Sequence, residues 1–360
     1  MYLQTLEVKQ FRNLKNFSFA PGSGINLIYG ENASGKSSLL EAIYILGTGK
    51  SFRASKTNCL IQEGQTQFSV FAQFVADTGK TLKTGVQRDN TTTHIKINGE
   101  YIRRASVLAR LVPMQILEPK LYQFLNDGPE FRRRFIEWGV FHVEQRYEKV
   151  WKQYCRNLAQ RNAALKQKLP DRQVQEWDLG VVQEGTEIDH MRKAFMAVLA
   201  HKINITSDIP DLLNSCFFDY YQGWPREVSY FECLNNNIAS DKERGFTQLG
   251  PHRADIRIKI GKQQAKDVLS RGQQKMLISS LLLSQSRIVK DELGKGVLLL
   301  IDDLGSELDQ DSHNRLMRMV KDTQCQAFIT SAKKDGLVEA CGDIPYRMFH
   351  VEHGHISQVV

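Results

Sequence analysis

An eight-residue segment near the start of the chain has the residue types and spacing of a phosphate-binding loop. It runs from Gly30 to Ser37 and reads Gly-Glu-Asn-Ala-Ser-Gly-Lys-Ser. An apolar run at 25–29 predicts a buried strand before it, and 38–43 predicts a helix after it, which is the context that this motif requires. The glycines let backbone N–H groups point at a polyphosphate, and the helix N-terminus adds partial positive charge. Lys36 is expected to reach the β- and γ-phosphates, and Ser37 to offer its hydroxyl to Mg²⁺.

The whole loop is therefore assigned to nucleotide binding, with Asn32 able to donate a hydrogen bond to a γ-phosphate oxygen. A glycine-rich structural turn is the alternative interpretation. The predicted nucleotide contacts in the loop are Gly30, Glu31, Asn32, Ala33, Ser34, Gly35, Lys36, Ser37 and Ser38.

Two carboxylates follow a strongly apolar stretch far downstream. Residues 298–301 read Leu-Leu-Leu-Ile, and Asp302 and Asp303 come directly after them. An acidic residue at the tip of a strand beside a phosphate loop is where nucleotide-bound Mg²⁺ would be held. We expect Asp302 to bind the metal, directly or through water, and Asp303 to orient or deprotonate the attacking water. Strands also end in Asp for reasons of turn formation, so this assignment depends on the phosphate loop.

A third segment, at 269–275, reads Leu-Ser-Arg-Gly-Gln-Gln-Lys and opens a predicted helix. It resembles the signature motif of ABC-type ATPases, and Ser306-Glu307-Leu308-Asp309 is similar to the D-loop of that superfamily. The resemblance implies that the signature of one subunit faces the phosphate loop of another, so that two nucleotides are sandwiched in a head-to-tail pair. Ser270, Gly272 and Gln273 would then contact the γ-phosphate held by a neighbour. A Ser-capped helix is the alternative.

Other positions fit the same superfamily. Phe11-Arg12-Asn13 resembles the nucleotide-contacting segment of DNA-repair ABC ATPases, which makes Arg12 and Asn13 candidate contacts. Gln115 matches the Q-loop position, where a glutamine senses Mg²⁺ and the attacking water, although a Gln at a strand end is often structural. Ser331 lies near the place of the switch histidine of transporters, and Asp303 replaces the customary catalytic glutamate. One methylene less leaves the water poorly positioned, so slow turnover is expected, with catalytic roles for Lys36, Gln115 and Asp303.

Four stretches together resemble the RecF family of bacterial recombination mediators. They lie at 30–38, 128–135, 249–255 and 269–275, and the similarity extends over nearly the whole chain. The resemblance implies an ATP-dependent homodimer, with ATP and Mg²⁺ as cofactors, that binds DNA at single-strand gaps, duplexes and junctions. It also implies weak DNA-stimulated ATPase activity, cooperation with RecR and RecO, and indirect loading of RecA in recombinational gap repair and the SOS response.

An ATPase subunit of another ABC system is the alternative. A transport-coupled subunit would need a membrane partner, and a chromosome-organising ATPase would need hundreds of heptad residues between its head halves. The six cysteines of the 360-residue chain are scattered without metal-ligand spacing, which fits a reducing cytosol. The start of the chain has no leader pattern, and the longest apolar run is only 297–301. We therefore expect a cytoplasmic, nucleoid-associated protein with no membrane partner.

The formal net charge of +8 suits a polyanionic partner. Residues 120–172 carry twelve Lys or Arg against six Asp or Glu, which is a net +6. No base-reading motif is apparent, so recognition of DNA charge or structure is favoured over sequence readout. A solvated helical face is the alternative, and at most two of Arg132, Arg133 and Arg134 can share one helix face. The predicted DNA contacts are Arg132, Arg133, Lys149, Lys152 and Arg156.

The elements that position these residues alternate between strand and helix at both ends of the chain and are helical between. The pattern favours an α/β fold, with an ABC-type P-loop ATPase head and an inserted, mainly helical second lobe. The predicted domains are 1–120, 121–225 and 226–360. Gly250-Pro251-His252-Arg253 stays open, since Arg253 can contact nucleotide or DNA and Gly-Pro can simply set a turn. The predicted elements are a meander at 67–102, helices over 129–202 broken near 169–171, strands at 227–232 and 254–260, a helix at 277–288, a strand at 297–301, a helix at 310–321, a strand at 325–330 and a hairpin at 347–359.

Overall fold

The computed structural model of the protein describes residues 1–54, 57–206, 212, 215–303 and 308–359. The chain divides into two compact units. The first contains Met1–Leu121 and Arg271–Val360, and the second contains Tyr122–Ile205 and Pro210–Ser270. The two ends of the chain thus fold together, and the intervening segment forms its own unit.

The strands are numbered in chain order. They are β1 Tyr2–Lys9, β2 Phe17–Phe19, β3 Ile25–Tyr29, β4 Gln67–Val75, β5 Thr81–Asp89, β6 Thr93–Ile97, β7 Glu100–Ile102, β8 Met114–Leu117, β9 Cys216–Tyr221, β10 Asp255–Ile260, β11 Gln263–Gln264, β12 Leu298–Ile301, β13 Ala327–Ser331, β14 Tyr346–Glu352 and β15 His355–Gln358.

The helices are numbered in the same way. They are α1 Lys36–Thr48, α2 Ala105–Leu111, α3 Gln123–Asn126, α4 Pro129–Val143, α5 Tyr147–Lys166, α6 Asp171–Gln175, α7 Asp178–Thr206, α8 Tyr230–Asn236, α9 Ile238–Arg244, α10 Ala265–Val268, α11 Arg271–Leu293, α12 Gln310–Asp322 and α13 Lys334–Cys341, with short 3-10 turns at Thr57–Leu60, Pro119–Tyr122 and Pro251–Arg253.

A mostly parallel sheet in the first unit has the strand order β15-β14-β3-β13-β12-β8. Strands β14, β3, β13, β12 and β8 run parallel, and only β15 is antiparallel to its neighbour. All four residues of β12 are buried, which explains its uninterrupted apolar sequence. Because the carboxyl ends of parallel strands meet at one edge, the segments after β3, β8, β12 and β13 are brought together.

A second sheet of the same unit is antiparallel, with the order β2-β1-β4-β5-β6-β7. Alternate residues of β4 are buried, including Phe68, Val70, Ala72 and Phe74, and they join the core formed with β1 and α1. The rings of Phe11 and Phe68 meet edge to face, with their centroids 5.0 Å apart. One face of this sheet therefore packs against the core, while the other carries the alternate, more exposed side chains.

The second unit contains helices α3–α10 and a three-stranded sheet of order β11-β10-β9. Its interior holds charged side chains. Arg161 is fully buried and donates to Asp178 at 2.7 Å and to Asp241 at 2.8 Å. The ion pairs at Nε and Nη1 offset part of the cost of burying this guanidinium, and Nη2 has no hydrogen-bond partner among the described residues. None of the helices in the described ranges combines the length and apolar character needed to cross a bilayer.

Most predicted elements are present, but the strand predicted at 227–232 is wrong. Ser229 caps helix α8 there, because its hydroxyl accepts from the Glu232 N–H while the Glu232 carboxylate accepts from the Ser229 N–H. This capping box overrides the strand-like residue types that follow it. Helices α2, α9 and α13 and strand β9 were not predicted.

The second domain boundary also differs, since residues 226–270 belong to the unit that contains the helical tract rather than to the head.

Candidate nucleotide-binding site

The phosphate loop connects β3 to α1, as its sequence predicts. Lys36 is the first residue of α1, and Gly35 before it has φ 121°. Ala33 also lies in the left-handed region, with φ 64°. A Cβ on Gly30 would lie 2.1 Å from the Val351 carbonyl oxygen, so no larger residue fits without a backbone shift. Strand β14 thus holds the start of the loop close to the sheet.

The Lys36 ammonium closes the loop on itself. Its Nζ donates to the Gly30 carbonyl at 2.7 Å and to the Glu31 carbonyl at 2.8 Å. Burial lowers the pKa of Lys36 below its ordinary value, and the nearby Asp303 and Asp302 carboxylates oppose that shift. The charged ammonium is therefore held where an anion would stabilise it further.

Ser37 and Asp302, which the sequence assigned to one metal, lie in contact. The Ser37 hydroxyl donates to Asp302 Oδ1 at 2.9 Å. Thr330, at the end of β13, donates its hydroxyl to the same carboxylate oxygen at 2.9 Å and accepts from the Asp303 N–H at 2.9 Å. Asp303 has φ 53°. Thr330 thereby fixes both aspartates, a role that could not be predicted because a Thr at a strand end carries no distinctive sequence signal.

These oxygens suit Mg²⁺, which prefers hard oxygen ligands and usually binds through one or two carboxylates plus substrate phosphates. Among the described residues no cluster of three or more His, Cys, Asp or Glu is arranged to hold a metal by itself. One hydroxyl and one carboxylate oxygen, 2.9 Å apart, are hard ligands of the kind that hold Mg²⁺ together with nucleotide phosphates. Ser37 and Asp302 are the residues that would hold it.

Two polar atoms, one in the phosphate loop and one on β8, are buried without a hydrogen-bond partner in the described structure. They are the Ser34 hydroxyl, within the phosphate loop, and the Gln115 Oε1, on β8. Orphaned buried polar atoms are rare and often face a missing ion, water or ligand. Gln115 is 8% exposed and pairs with Leu299 of β12, three residues before Asp302. Both residues were predicted to contact nucleotide or metal, and those contacts stay predictions.

Glu118, directly after β8, adds a further carboxyl at the same edge. Burial raises its pKa, and the Asp302 carboxylate raises it further. Glu118 follows a short strand without a recognisable motif, so its position could not be predicted from the sequence.

Arg12 and Asn13 both lie beside the phosphate loop. The Arg12 guanidinium makes a bidentate ion pair with Glu41 on α1, with distances of 2.8 and 2.9 Å. The Glu41 side chain is fully buried and also accepts from the Ser51 hydroxyl. Asn13 donates to the Ala33 carbonyl at 2.9 Å and accepts from the Ser38 hydroxyl at 2.8 Å. Asn13 thus braces the loop, and Glu41 orients Arg12. Glu41 was missed because it falls in the middle of an otherwise apolar helix.

The signature segment forms the start of a long helix, as predicted. Helix α11 begins at Arg271, directly after Ser270. Ser270, Arg271 and Gln273 are exposed and Gly272 is half-buried, whereas the following residues are buried. An exposed helix N-terminus is suited to an anion presented from outside. Of the predicted D-loop, Ser306 and Glu307 lie outside the described residues. Asp309 caps α12 by accepting from the Ser312 N–H at 2.8 Å.

Comparison with known proteins identifies the family. The family model described as the RecF/RecN/SMC N-terminal domain matches residues 2–357. The curated DNA replication and repair protein RecF of Shewanella loihica is 34% identical to this chain, and the alignment covers 100% of both chains. The protein of the same name from Aliivibrio fischeri is 37% identical, and the alignment covers 99% of this chain and 100% of the relative. The chain belongs to the RecF family.

Solved structures agree with this assignment. A structure of the recombination mediator protein RecF with ATP, in the RecFOR pathway, has a TM-score of 0.86 and 27% identity, and covers 100% of this chain and 98% of that one. An Smc head bound to the C-terminal winged-helix domain of ScpA has a TM-score of 0.61 at 14% identity, and supports the fold alone. The ABC-type ATPase head with an inserted lobe is thereby confirmed.

The predicted DNA contacts of this RecF-family chain differ in their surroundings. Arg132 is tied inside the second unit, because it pairs with Asp255 at 2.7 Å and donates to the Phe124 carbonyl at 2.8 Å. Arg133 donates to the Ala254 carbonyl at 3.0 Å. These contacts give both arginines a structural role that the sequence did not reveal. Three further candidates are exposed on α5, namely Lys149, Lys152 and Arg156.

The Gly250–Arg253 segment forms a tight turn in the RecF-family fold. The His252 imidazole lies 2.6 Å from the Tyr154 hydroxyl and 3.1 Å from the Thr247 carbonyl oxygen. Arg192, which is fully buried, donates to the Pro251 carbonyl at 2.7 Å. Burial lowers the pKa of His252 to about 4. The structure thus gives His252 and Pro251 a packing role, and Arg253 is exposed.

Proposed function

We propose that this RecF-family protein is an ATP-dependent DNA-binding dimer that acts in recombinational repair of single-strand gaps. The observation that carries the proposal is the contact between the Ser37 hydroxyl and the Asp302 carboxylate, 2.9 Å apart. That contact joins the phosphate loop to the acidic strand end and forms one site for a nucleotide and its metal. The related RecF structure with ATP supports ATP as the nucleotide.

ATP binding is assigned to the loop and its neighbours. The backbone N–H groups of 30–37 would bind the phosphates, and the Lys36 ammonium would exchange its carbonyl partners for phosphate oxygens. Mg²⁺, held by Ser37 and Asp302, would neutralise charge on the β- and γ-phosphates. The Gln115 Oε1, buried without a partner in the described structure, would accept a hydrogen bond from water at the site.

Hydrolysis is proposed to be slow and to limit how long the protein stays on DNA. Asp303 is the residue assigned to the attacking water, and the Thr330 hydroxyl fixes its backbone at 2.9 Å. A shorter acid than the customary glutamate places the carboxylate further from the water. Turnover of this kind suits a timed clamp, and the ATPase activity is expected to be weak and stimulated by DNA.

Dimerisation is proposed to depend on the exposed start of α11. Ser270 and Gly272 would contact the γ-phosphate bound by a second copy, so each site contains parts of two chains. A helix N-terminus carries partial positive charge, which favours this contact only when a triphosphate is present. ATP thus holds the two copies together.

DNA binding is proposed to use the basic face of α5. Lys149, Lys152 and Arg156 are spaced by three and four residues, so they share one helix face. Lys152 is paired with Glu148 of the same helix. Such an exposed pair contributes little to stability, so the lysine can exchange its partner for a phosphate. Contacts to phosphates alone would bind gaps, duplexes and junctions without sequence preference.

The partners are proposed from the family. The related RecF structures belong to the RecFOR pathway. We infer that this chain cooperates with RecR and RecO, and that it assists loading of RecA indirectly. Gap repair, the SOS response and a cytoplasmic, nucleoid-associated location follow from the same inference.

The test is binding to gapped DNA, with and without Mg-ATP, at two salt concentrations. Wild-type protein should bind more tightly with ATP, and Lys36→Ala should lose that increase. The triple variant Lys149→Ala, Lys152→Ala, Arg156→Ala should lower the salt slope by about 0.7–0.9 for each phosphate contact removed. A charge-matched control removes three exposed lysines elsewhere, at Lys80, Lys262 and Lys333. Equal loss in both triple variants, or binding that ignores ATP, would contradict the proposal.

A further inference from the structure

The outer face of the antiparallel sheet carries an arrangement that ATP binding does not use. Five residues stand in register across it: Glu7 of β1, Phe71 of β4, Gly85 of β5, Lys96 of β6 and Tyr101 of β7. In these strands the buried, core-facing residues alternate with the residues of this row, so the row points away from the core. Two aromatic side chains and a lysine therefore share one face of the sheet with a glycine between them.

Both aromatic residues are unusually exposed for their size. Tyr101 is 67% exposed and Phe71 is 37% exposed. Gly85 has no side chain to fill the space between them, and a cavity of about 200 Å³ opens there. Drug-sized ligands use pockets of roughly 300–1,000 Å³, so the cavity itself suits a single planar ring system. The whole face is wider than the cavity. From Phe71 to Tyr101 it spans three strand spacings, or about 14 Å, which leaves room for more than one ring.

The surroundings of the cavity are basic. Lys83, Lys96 and His94 line it, and of the described residues that line it none is Asp or Glu. The Lys96 ammonium lies 4.4 Å from the centroid of the Tyr101 ring, and the His94 ring lies 5.8 Å from it. Cations beside exposed rings select a ligand that is both planar and anionic.

We propose that this face, defined by Phe71, Gly85, Lys83, Lys96 and Tyr101, binds single-stranded DNA by stacking bases on its two aromatic rings. Single strands present unstacked bases, which stack on aromatic side chains whatever their sequence, while lysines contact the phosphates. A duplex hides its base faces and is excluded from this mode. DNA binding at this face does not require ATP, because none of its residues belongs to the phosphate loop or to the acidic strand end.

Three substitutions separate stacking from folding. Gly85→Val fills the space between the rings, and its Cβ would meet Phe71 at 3.6 Å, an ordinary contact, in a strand that favours Val. Tyr101→Ser removes one ring, and Tyr101→Phe keeps the ring without the hydroxyl. Phe231→Ser is the matched control, since Phe231 is 50% exposed on a helix of the other unit.

Binding of fluorescein-labelled dT12, without nucleotide, is measured by anisotropy and compared with a 12-base-pair duplex. Tyr101→Ser and Gly85→Val should weaken binding of dT12 by about 5- to 150-fold, the range for one stacked base. Tyr101→Phe and Phe231→Ser should bind as the wild type does. Irradiation of a bromodeoxyuridine-substituted strand should form crosslinks at Tyr101 or Phe71.

Unchanged dT12 affinity in Gly85→Val, or crosslinks confined to other residues, would overturn the proposal. The proposal would also be overturned if Gly85→Val abolished the binding of an acidic copolymer of Glu and Tyr but left the binding of dT12 unchanged. The face would then bind protein and not single-stranded DNA. The outcome is separable from the proposed function. If ATP fails to dimerise the protein but Gly85→Val still loses dT12, only the ATP-gated account is wrong.

Discussion

The ion pair between Arg12 and Glu41 gives a prediction with a calculable size. The Glu41 side chain is fully buried, whereas that of Arg12 is 23% exposed. Arg12→Ala therefore leaves a carboxylate in the core whose one remaining hydrogen-bond partner among the described residues is the Ser51 hydroxyl. Removing one member of a buried pair costs about 3–5 kcal/mol. For a unit of this size, that lowers Tm by about 6–20 °C.

The reverse change should cost less, because an arginine that is already partly exposed can turn to water. We expect Glu41→Ala to lose about 1–3 kcal/mol. Urea unfolding of both single variants measures the difference, and Lys15→Met serves as a control because Lys15 is exposed nearby. Equal losses in the two single variants would refute the reasoning, since it rests on their unequal burial.

The double variant Arg12→Met, Glu41→Leu separates folding from nucleotide contact. Replacing a whole buried pair by apolar residues is often neutral for stability, so most of the loss should be recovered. If Arg12 also contacts nucleotide, the double variant still binds ATP about 10- to 150-fold more weakly, which is the effect of one charged hydrogen bond. Calorimetric titration with Mg-ATP measures it. Wild-type affinity in a folded double variant would remove Arg12 from the site.

Three further changes test other parts of the molecule. Asp303→Asn should prolong the ATP-bound dimer and DNA residence, and Asn tolerates the left-handed φ of 53° at this position; unchanged turnover would remove Asp303 from the chemistry. Gly30→Ala should lower the free energy of unfolding by about 1–3 kcal/mol and abolish ATP binding, because its Cβ would lie 2.1 Å from a backbone oxygen. Gly24→Ala is the control, since its Cβ has open space and should change neither stability nor ATP binding. The pKa of His252 is about 4 when folded and 6.5 ordinarily, so the unfolded state binds more protons between these values. The contribution of His252 to the free energy of unfolding should be full above about pH 6.5 and fall by about 3 kcal/mol towards pH 4. Urea unfolding at several pH values measures it, and a pH profile of His252→Gln identical to that of the wild type would contradict the prediction.

The phosphate loop, the acidic strand end and the signature helix could be predicted because each has a motif with its own mechanism. The meander was equally accessible, since Asn98-Gly99 marks a hairpin and alternate residues of β4 are apolar. Thr330 and Glu41 could not be predicted in this way. Each acts through a contact between segments far apart in sequence, and neither residue type is unusual in its own element.

The basic tract shows the same limit for charge. Counting Lys and Arg identified a positive segment, but the count does not distinguish cations that bind DNA from those that hold the fold. Arg132 and Arg161 are both engaged by carboxylates within the second unit. Only pairing partners and burial reveal this difference, and both depend on tertiary structure. The predicted strand at 227–232 failed for a local reason, because the capping box at Ser229 starts a helix.

The central claim is that each ATP is held by the phosphate loop of one copy and the signature of another. Lys36→Ala should not bind ATP, whereas Ser270→Arg should bind ATP and remain monomeric. A mixture of the two variants can form one site from two intact halves. Light scattering with saturating Mg-ATP should therefore detect dimers in the mixture but in neither variant alone. A mixture that stays monomeric, while wild-type protein dimerises under the same conditions, would contradict the shared site.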